Sequence, residues 1–260
     1  MKGILSSLRQ LRQYPTAVIG MIIIGLLLVV SIITPIIMPY SEAIRLWRGG
    51  ELVWRYYPRN AAPAWQNWFT STDLAASVII DSSKGDIEPT FEQISADTRE
   101  GFYSYEFDFP YDTFPPEVIL FAAAKYASKQ PFVELTWITP DGREIRAGEF
   151  SATANTSVRF DQDTRLQRRL ERETGIKGIT VIEGLFDDPS KEGIQVLQGT
   201  YRLDATALLF EPESTLDMTF VSYGKVHGLA GTDHQRRDLT VALLWGTPIA
   251  MAFGLLAAVF

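Results

Sequence analysis

Two uncharged stretches, residues 17–38 and 239–260, bracket every acidic residue of this chain. A helix rises about 1.5 Å per residue, so each stretch is long enough to cross roughly 30 Å of bilayer hydrocarbon. The segment between them holds all 31 acidic residues. Only Lys2, Arg9 and Arg12 of the 24 basic residues precede the first stretch, which leaves the middle with a net charge of −10. An acidic segment repels phosphate backbones, so nucleic acid is excluded as a partner. There is no cysteine, which removes disulfides, zinc–thiolate sites and a lipoprotein anchor.

The sequence therefore predicts α-helical membrane spans plus an extracytoplasmic, mainly-β (α+β) domain. Residues 1–16 read as a cytoplasmic basic N-terminus and 17–39 as the first transmembrane helix. Residues 40–226 read as the β-rich domain, 227–238 as a pre-helix segment and 239–260 as the second transmembrane helix. A cleaved signal peptide is the competing reading of the first stretch. Signal cores run about 7–15 residues and precede a small-residue cleavage site; this stretch is longer and is followed by Pro39-Tyr40-Ser41-Glu42, which favours an uncleaved anchor. Cations flank its N-terminal side without acids, so the N-terminus is expected in the cytoplasm and the middle domain outside. Ile4, Leu8 and Leu11 recur at helical spacing, which suits either a segment lying along the inner membrane surface or a short basic tail. In the second stretch Gly246, Ala250, Gly254 and Ala258 fall four apart, one stripe on which another membrane helix can pack closely. Position 260 has no polar flank after it, so further spans are expected to follow.

Period-2 alternation marks half-buried strands in the middle segment. Tyr103, Tyr105, Phe107 and Phe109 alternate with Ser104, Glu106 and Asp108; Tyr201, Leu203, Ala205, Ala207 and Leu209 alternate with Arg202, Asp204 and Thr206. Residues 132–139 and 144–150 read as a hairpin around Pro140-Asp141-Gly142-Arg143. Residues 117–126, 179–183 and 216–223 are further strands. One helix interrupts them, capped by Asp163, running over 164–174 and stopped by Gly175. Residues 54–71 look irregular. The whole predicts an antiparallel β-sandwich with a helical insertion.

Catalytic signals are sparse. His227 and His234 supply too few ligands for a metal at their spacing. The acid pairs Asp161/Asp163, Asp187/Asp188 and Glu211/Glu213 lack a glycine-rich calcium loop, and solvated turns explain them. No phosphate-binding glycine loop or nucleophile elbow is present. Asn155-Thr-Ser157 fits the short glycosylation pattern. Trp54, Trp65, Trp68, Phe69 and Trp137 are expected as core or membrane-interface residues. No cofactor and no catalytic or metal-binding residue is expected.

The stretch His227-Gly-Leu-Ala-Gly-Thr-Asp-His-Gln-Arg-Arg-Asp-Leu239 resembles the segment before the second span in permease subunits of dipeptide/oligopeptide/nickel ABC importers. That family shows Gly-Thr-Asp, two residues, then Gly-Arg-Asp, ahead of an apolar helix with an aromatic–glycine pair. Gly231, Thr232, Asp233, Arg237 and Asp238 match, Trp245-Gly246 stands at the pair, and Gly254-Leu255 fits a later glycine. Residues 17–20 resemble the start of the family's first span. Arg236 stands where glycine is usual, which bears on how tight the turn is, and Ala230 extends the opening. Charges at 233, 236, 237 and 238 can neutralise one another, and Thr232 or Asp233 can cap the following helix. The resemblance implies a non-enzymatic permease subunit of an importer for peptides or related small solutes. Its implied partners are a second permease subunit, cytoplasmic ATPase subunits, an extracytoplasmic solute-binding protein and the lipid bilayer of the cell membrane. The large middle domain departs from ordinary members. The alternative reading is a membrane-anchored sensory or adhesion ectodomain; a tethered hydrolase lacks any nucleophile–base set.

Overall fold

The computed structural model describes residues 14–260, so the expectation for Ile4, Leu8 and Leu11 lies outside the described residues. The chain divides into two compact units: the N-terminal part up to Arg55 together with Ala230–Phe260, and Tyr56–Leu229.

The first unit is helical. Helix α1, Pro15–Ile37, begins on a proline, whose fixed φ and missing N–H suit a first turn. Helix α2, Tyr40–Arg48, follows almost at once, then the single turn α3, Glu51–Trp54. Trp54 is buried and its indole donates to the Leu46 carbonyl at 2.7 Å, folding α3 back on α2. These two helices group with the helical unit, whereas the sequence reading ran the β-rich segment from residue 40. Glu42 in the first turn and Arg45 and Arg48 in the last suit the helix dipole of α2.

Helices α4, Thr164–Thr174, and α5, Val181–Phe186, belong to the second unit. The last helix, α6, spans Leu239–Val259. It and α1 are each long and apolar enough to cross a membrane. Their burial is inverted relative to a water-soluble helix. Thr34 is the buried residue of α1, while Ile36 is 77% exposed and Phe253 of α6 71%. The contact between the two helices is polar at its heart. Pro248 has no N–H, so the Leu244 carbonyl one turn earlier loses its helical donor. The Thr34 hydroxyl reaches that carbonyl at 3.3 Å while also donating to Val30 O at 2.8 Å. A hydroxyl on the neighbouring helix thus supplies the donor that the proline removes. The Trp245 indole donates to Met38 O at 3.2 Å, and its ring meets Tyr40 edge-on at 5.0 Å.

The second unit is built from two antiparallel sheets. Strands β1 (Val78–Asp81), β2 (Thr90–Gln93), β3 (Arg99–Phe109), β4 (Val118–Lys125) and β5 (Phe132–Ile138) come first. Strands β6 (Glu144–Ser151), β7 (Thr156–Arg159), β8 (Gly199–Leu209) and β9 (Thr215–Ser222) complete the set. The sheet orders are β1-β9-β4-β7 and β2-β3-β8-β5-β6. The long β3–β8 pair aligns Tyr103 with Ala205 and Phe107 with Tyr201, so both apolar faces point the same way. The sheets meet through aromatic rings. Phe107 lies 5.1 Å from Phe220 and 5.9 Å from Trp137, and Trp137 lies 5.2 Å from Phe186. Tyr103 and Tyr105 on β3 donate to the Leu216 and Met218 carbonyls of β9, so their hydroxyls are not orphaned in the core. Burial pushes the Tyr103 hydroxyl up to about 12.

Between β7 and β8 lie α4, Thr164–Thr174, and α5, Val181–Phe186. Asp163 accepts from the amides of Arg165 and Leu166, and Gly175 at φ 72° closes the C-terminus. The strand expected over 179–183 is instead the start of α5. Thr180 and Glu183 form a reciprocal capping box there, which commits the backbone to a helix despite the β-branched residues. Over 54–71 the structure has the end of α3 and a 3-10 turn, Ala64–Trp68.

The chain enters and leaves this unit at one place. Ala62 donates to Lys225 O at 2.8 Å and His227 donates to Ala62 O at 2.8 Å. Just before, Gly224 lets the chain pass closely against residues 75–77: a Cβ there would sit 2.5 Å from the Ala76 backbone.

Candidate functional site

The residues singled out ahead of α6 form one tight loop in the helical unit. Thr232 and Asp238 pair as an antiparallel bridge, Asp233 N–H donates to Arg237 O, and Leu239 N–H donates to Gly231 O. Gly231 takes φ 75°, a conformation glycine adopts freely. Arg236 takes φ 67° at the next turn. The turn is thus as tight as a glycine would make it, and an arginine holds the left-handed conformation at a cost of about 1–2 kcal/mol.

Asp233 organises the loop. Its Oδ1 accepts from the amides of Gln235 and Arg237 at 2.8 and 2.9 Å. Its Oδ2 lies 2.7 and 2.6 Å from two nitrogens of the Arg237 guanidinium. Burial works against the charged form, but the Arg237 hydrogen bond, the two amides and the guanidinium charge outweigh it. The carboxyl is therefore held below the usual carboxylate range. Arg237 in turn sits 4.0 Å above the Trp47 ring of α2, a cation–π contact in which Asp233 fixes the cation. The helix cap is Asp238, whose Oδ1 accepts from Thr240 N–H at 2.8 Å. Asp238, not Thr232 or Asp233, is the cap of α6: the Leu239 N–H is taken by Gly231 O, and the next amide, Thr240, goes to the Asp238 carboxylate.

The stripe Gly246, Ala250, Gly254 and Ala258 is exposed along α6, with open space around both glycines. It does not form the contact with α1. At its Gly246 end, α2 and α6 line an apolar cleft of about 390 Å³.

The other sequence candidates are structural. Asp163 is a helix cap. Asp187 and Asp188 are buried; Asp187 accepts from Gln195 N–H, and Asp188 from the amide and hydroxyl of Ser190. Glu211 accepts amides from Ala127, Ser128 and Lys129 at 2.6, 2.8 and 2.8 Å, and these hold its carboxyl at about 2. No group of three or more acidic or histidine side chains is placed to hold a metal among the described residues. His227 packs against Tyr57 with ring centroids 4.3 Å apart, and His234 is exposed. Asn155 is exposed just ahead of β7. Of the aromatics, Trp54 and Trp137 are core, whereas Trp65, Trp68 and Phe69 are exposed. Trp47 was missed as a partner of the loop. The apolar spacing of Ala43, Ile44 and Trp47 is the signal that would have marked its helix.

This geometry offers a pair of membrane-length helices, joined near one end, with a charged loop bracing the second against an amphipathic helix. Residues 6–63 match the family model for the N-terminal TM domain of oligopeptide transport permease C. That permease-C segment takes in α1, α2 and α3 and stops where the β unit's paired ends begin at Ala62. No curated protein matches the chain. Among solved structures, TmCBM61 in complex with beta-1,4-galactotriose is 13% identical, with a TM-score of 0.25, over 65% of this chain and 94% of that one. A chaperone–tip adhesin complex of CFA/I fimbriae biogenesis is 13% identical, with a TM-score of 0.24, over 58% of this chain and 42% of that one. A CocE/NonD family hydrolase from Staphylococcus aureus is 12% identical, with a TM-score of 0.17, over 63% and 32%. At such scores none of the three shows a shared fold.

Proposed function

We propose that this chain is the N-terminal part of a permease subunit in an ABC importer of the peptide class. The match of residues 6–63 to the permease-C segment carries the reading. The outward-facing apolar side chains of α1 and α6 support it, because lipid rather than water suits such surfaces. In this reading α1 and α6 cross the cell membrane, Lys2, Arg9 and Arg12 stay in the cytoplasm, and the β unit is an extracytoplasmic insertion. The stripe that begins at Gly246 then faces other spans of the permease core along Ala250, Gly254 and Ala258. The loop carrying Gly231, Thr232, Asp233, Arg237 and Asp238 sets how α6 enters the membrane. Its partners are a second permease subunit, ATPase subunits that supply all nucleotide hydrolysis, and a solute-binding protein.

The absence of native cysteine makes topology directly testable. Ser71→Cys in the β unit is expected to react with a membrane-impermeant maleimide in intact cells. Labelling of Ser71→Cys only after permeabilisation, or release of the chain from membranes at alkaline pH, would refute the proposal.

A further inference from the structure

The cleft between α2 and α6 combines three properties that point to one kind of occupant. Its lining includes Ile44, Trp47, Trp245 and Ile249 together with the small residues Ala43 and Gly246. Its volume of about 390 Å³ falls within the usual range of ligand clefts, about 300–1,000 Å³. The lining contains no acidic residue and one cation, Arg48. The neighbouring cations are already engaged: Arg45 with Glu42 at 2.8 Å, and Arg237 with Asp233. Arg48 is exposed and has no ion-pair partner among the described residues. The aromatic side chains Tyr40, Trp47 and Trp245 gather around the same site, where rings with one polar edge suit the border between hydrocarbon and headgroups.

From this we infer that the cleft seats an anionic phospholipid, with an acyl chain between Trp47 and Trp245 and the phosphate on Arg48. An apolar helix from a partner would fill the groove but leave the guanidinium without a counter-charge. A phospholipid supplies both parts, and a guanidinium binds phosphate oxygens through paired N–H donors. The inference rests on the membrane placement proposed above.

The test uses the full 260-residue chain reconstituted into nanodiscs of mixed phosphatidylcholine and phosphatidylglycerol. Lipid carried through detergent extraction is then counted by native mass spectrometry. The wild type is expected to retain phosphatidylglycerol in preference to phosphatidylcholine. Arg48→Gln is expected to lower that preference about tenfold, the worth of one charge-assisted phosphate contact. Arg48→Lys keeps part of it. Gly246→Leu, which builds a side chain into the open space of the cleft, is expected to expel both lipids. Unchanged retention in Arg48→Gln and Gly246→Leu would overturn the inference, as would cross-linking of Ile249→Cys to a second protein chain without retained lipid. Alkaline extraction of membranes from the expressing cells separates the two claims. A chain that washes off defeats the membrane placement; a chain that stays without lipid preference defeats only the cleft.

Discussion

Replacing Asp233 with alanine strips the loop ahead of α6 of its organising acceptor. The Gln235 and Arg237 amides lose Oδ1, and the Arg237 guanidinium loses its counter-ion while still lying over Trp47. Hydrogen bonds to a charged group contribute about 1.5–3 kcal/mol each, and leaving a partner unpaired adds to the loss. The pair is half-shielded, with side chains 23% and 14% exposed, so a full buried-pair penalty does not apply. The local cost is therefore about 3 kcal/mol, or roughly a hundredfold in the opening equilibrium of the loop. Amide hydrogen exchange reads that equilibrium residue by residue. In Asp233→Ala the amides of Gln235, Arg237 and Leu239 are expected to exchange roughly a hundredfold faster, while the amides of β3 and β8 keep their rates. Asp233→Asn retains an acceptor for the two amides but not the charge, and is expected to give about tenfold. Less than about threefold acceleration in the alanine variant would refute the claim that Asp233 holds the loop.

Arg236→Gly is expected to be more stable than Arg236→Ala by about 1 kcal/mol, because both lose the side chain but only glycine relieves the φ of 67°; slower exchange at Asp233 and Leu239 in the glycine variant, by roughly fivefold, is the check. Glu211 is held at about 2 in the fold against an ordinary 4.5. Its stabilising contribution is thus complete above about 4.5 and disappears as pH falls through about 2, so protection of amides 127–129, corrected for intrinsic rates, is expected to decline across that window and to stay flat in Glu211→Gln. Trp137→Ala removes the ring at the centre of the aromatic cluster and its bond to Leu185 O at 3.1 Å. A loss of about 3–5 kcal/mol is expected, read by denaturant unfolding followed in the far ultraviolet.

Where local chemistry decided the structure, the sequence was readable. Asp163 and Gly175 bounded α4, and the alternation in β3 and β8 assigned each side chain to its face. Where two local signals competed, the stronger was overlooked: Thr180 and Glu183 were visible as a capping pair, yet the β-branched run suggested a strand. The four-residue strands β1, β2 and β7 are too short for alternation to register, and they form because β9, β3 and β4 offer them edges. Glu211 could not have been read from its neighbours, since its donors lie 82–84 residues earlier in the chain. The same holds for Arg237, whose chemistry depends on a tryptophan 190 positions away that α2 brings beneath it. For the site, the five loop residues were legible as a pattern, but their division of labour was not. Asp238 caps and Asp233 braces, and only the backbone path distinguishes them.

The paired ends of the β unit give it the character of a graftable cassette. Because Ala62 is hydrogen-bonded to both Lys225 and His227, excising everything between them leaves a gap no wider than one rung of a β-ladder, about 5 Å. A linker of very few residues closes such a gap. Removal or exchange of the β unit then asks only for a short join at its own paired ends, the kind of site at which whole-domain insertion is tolerated.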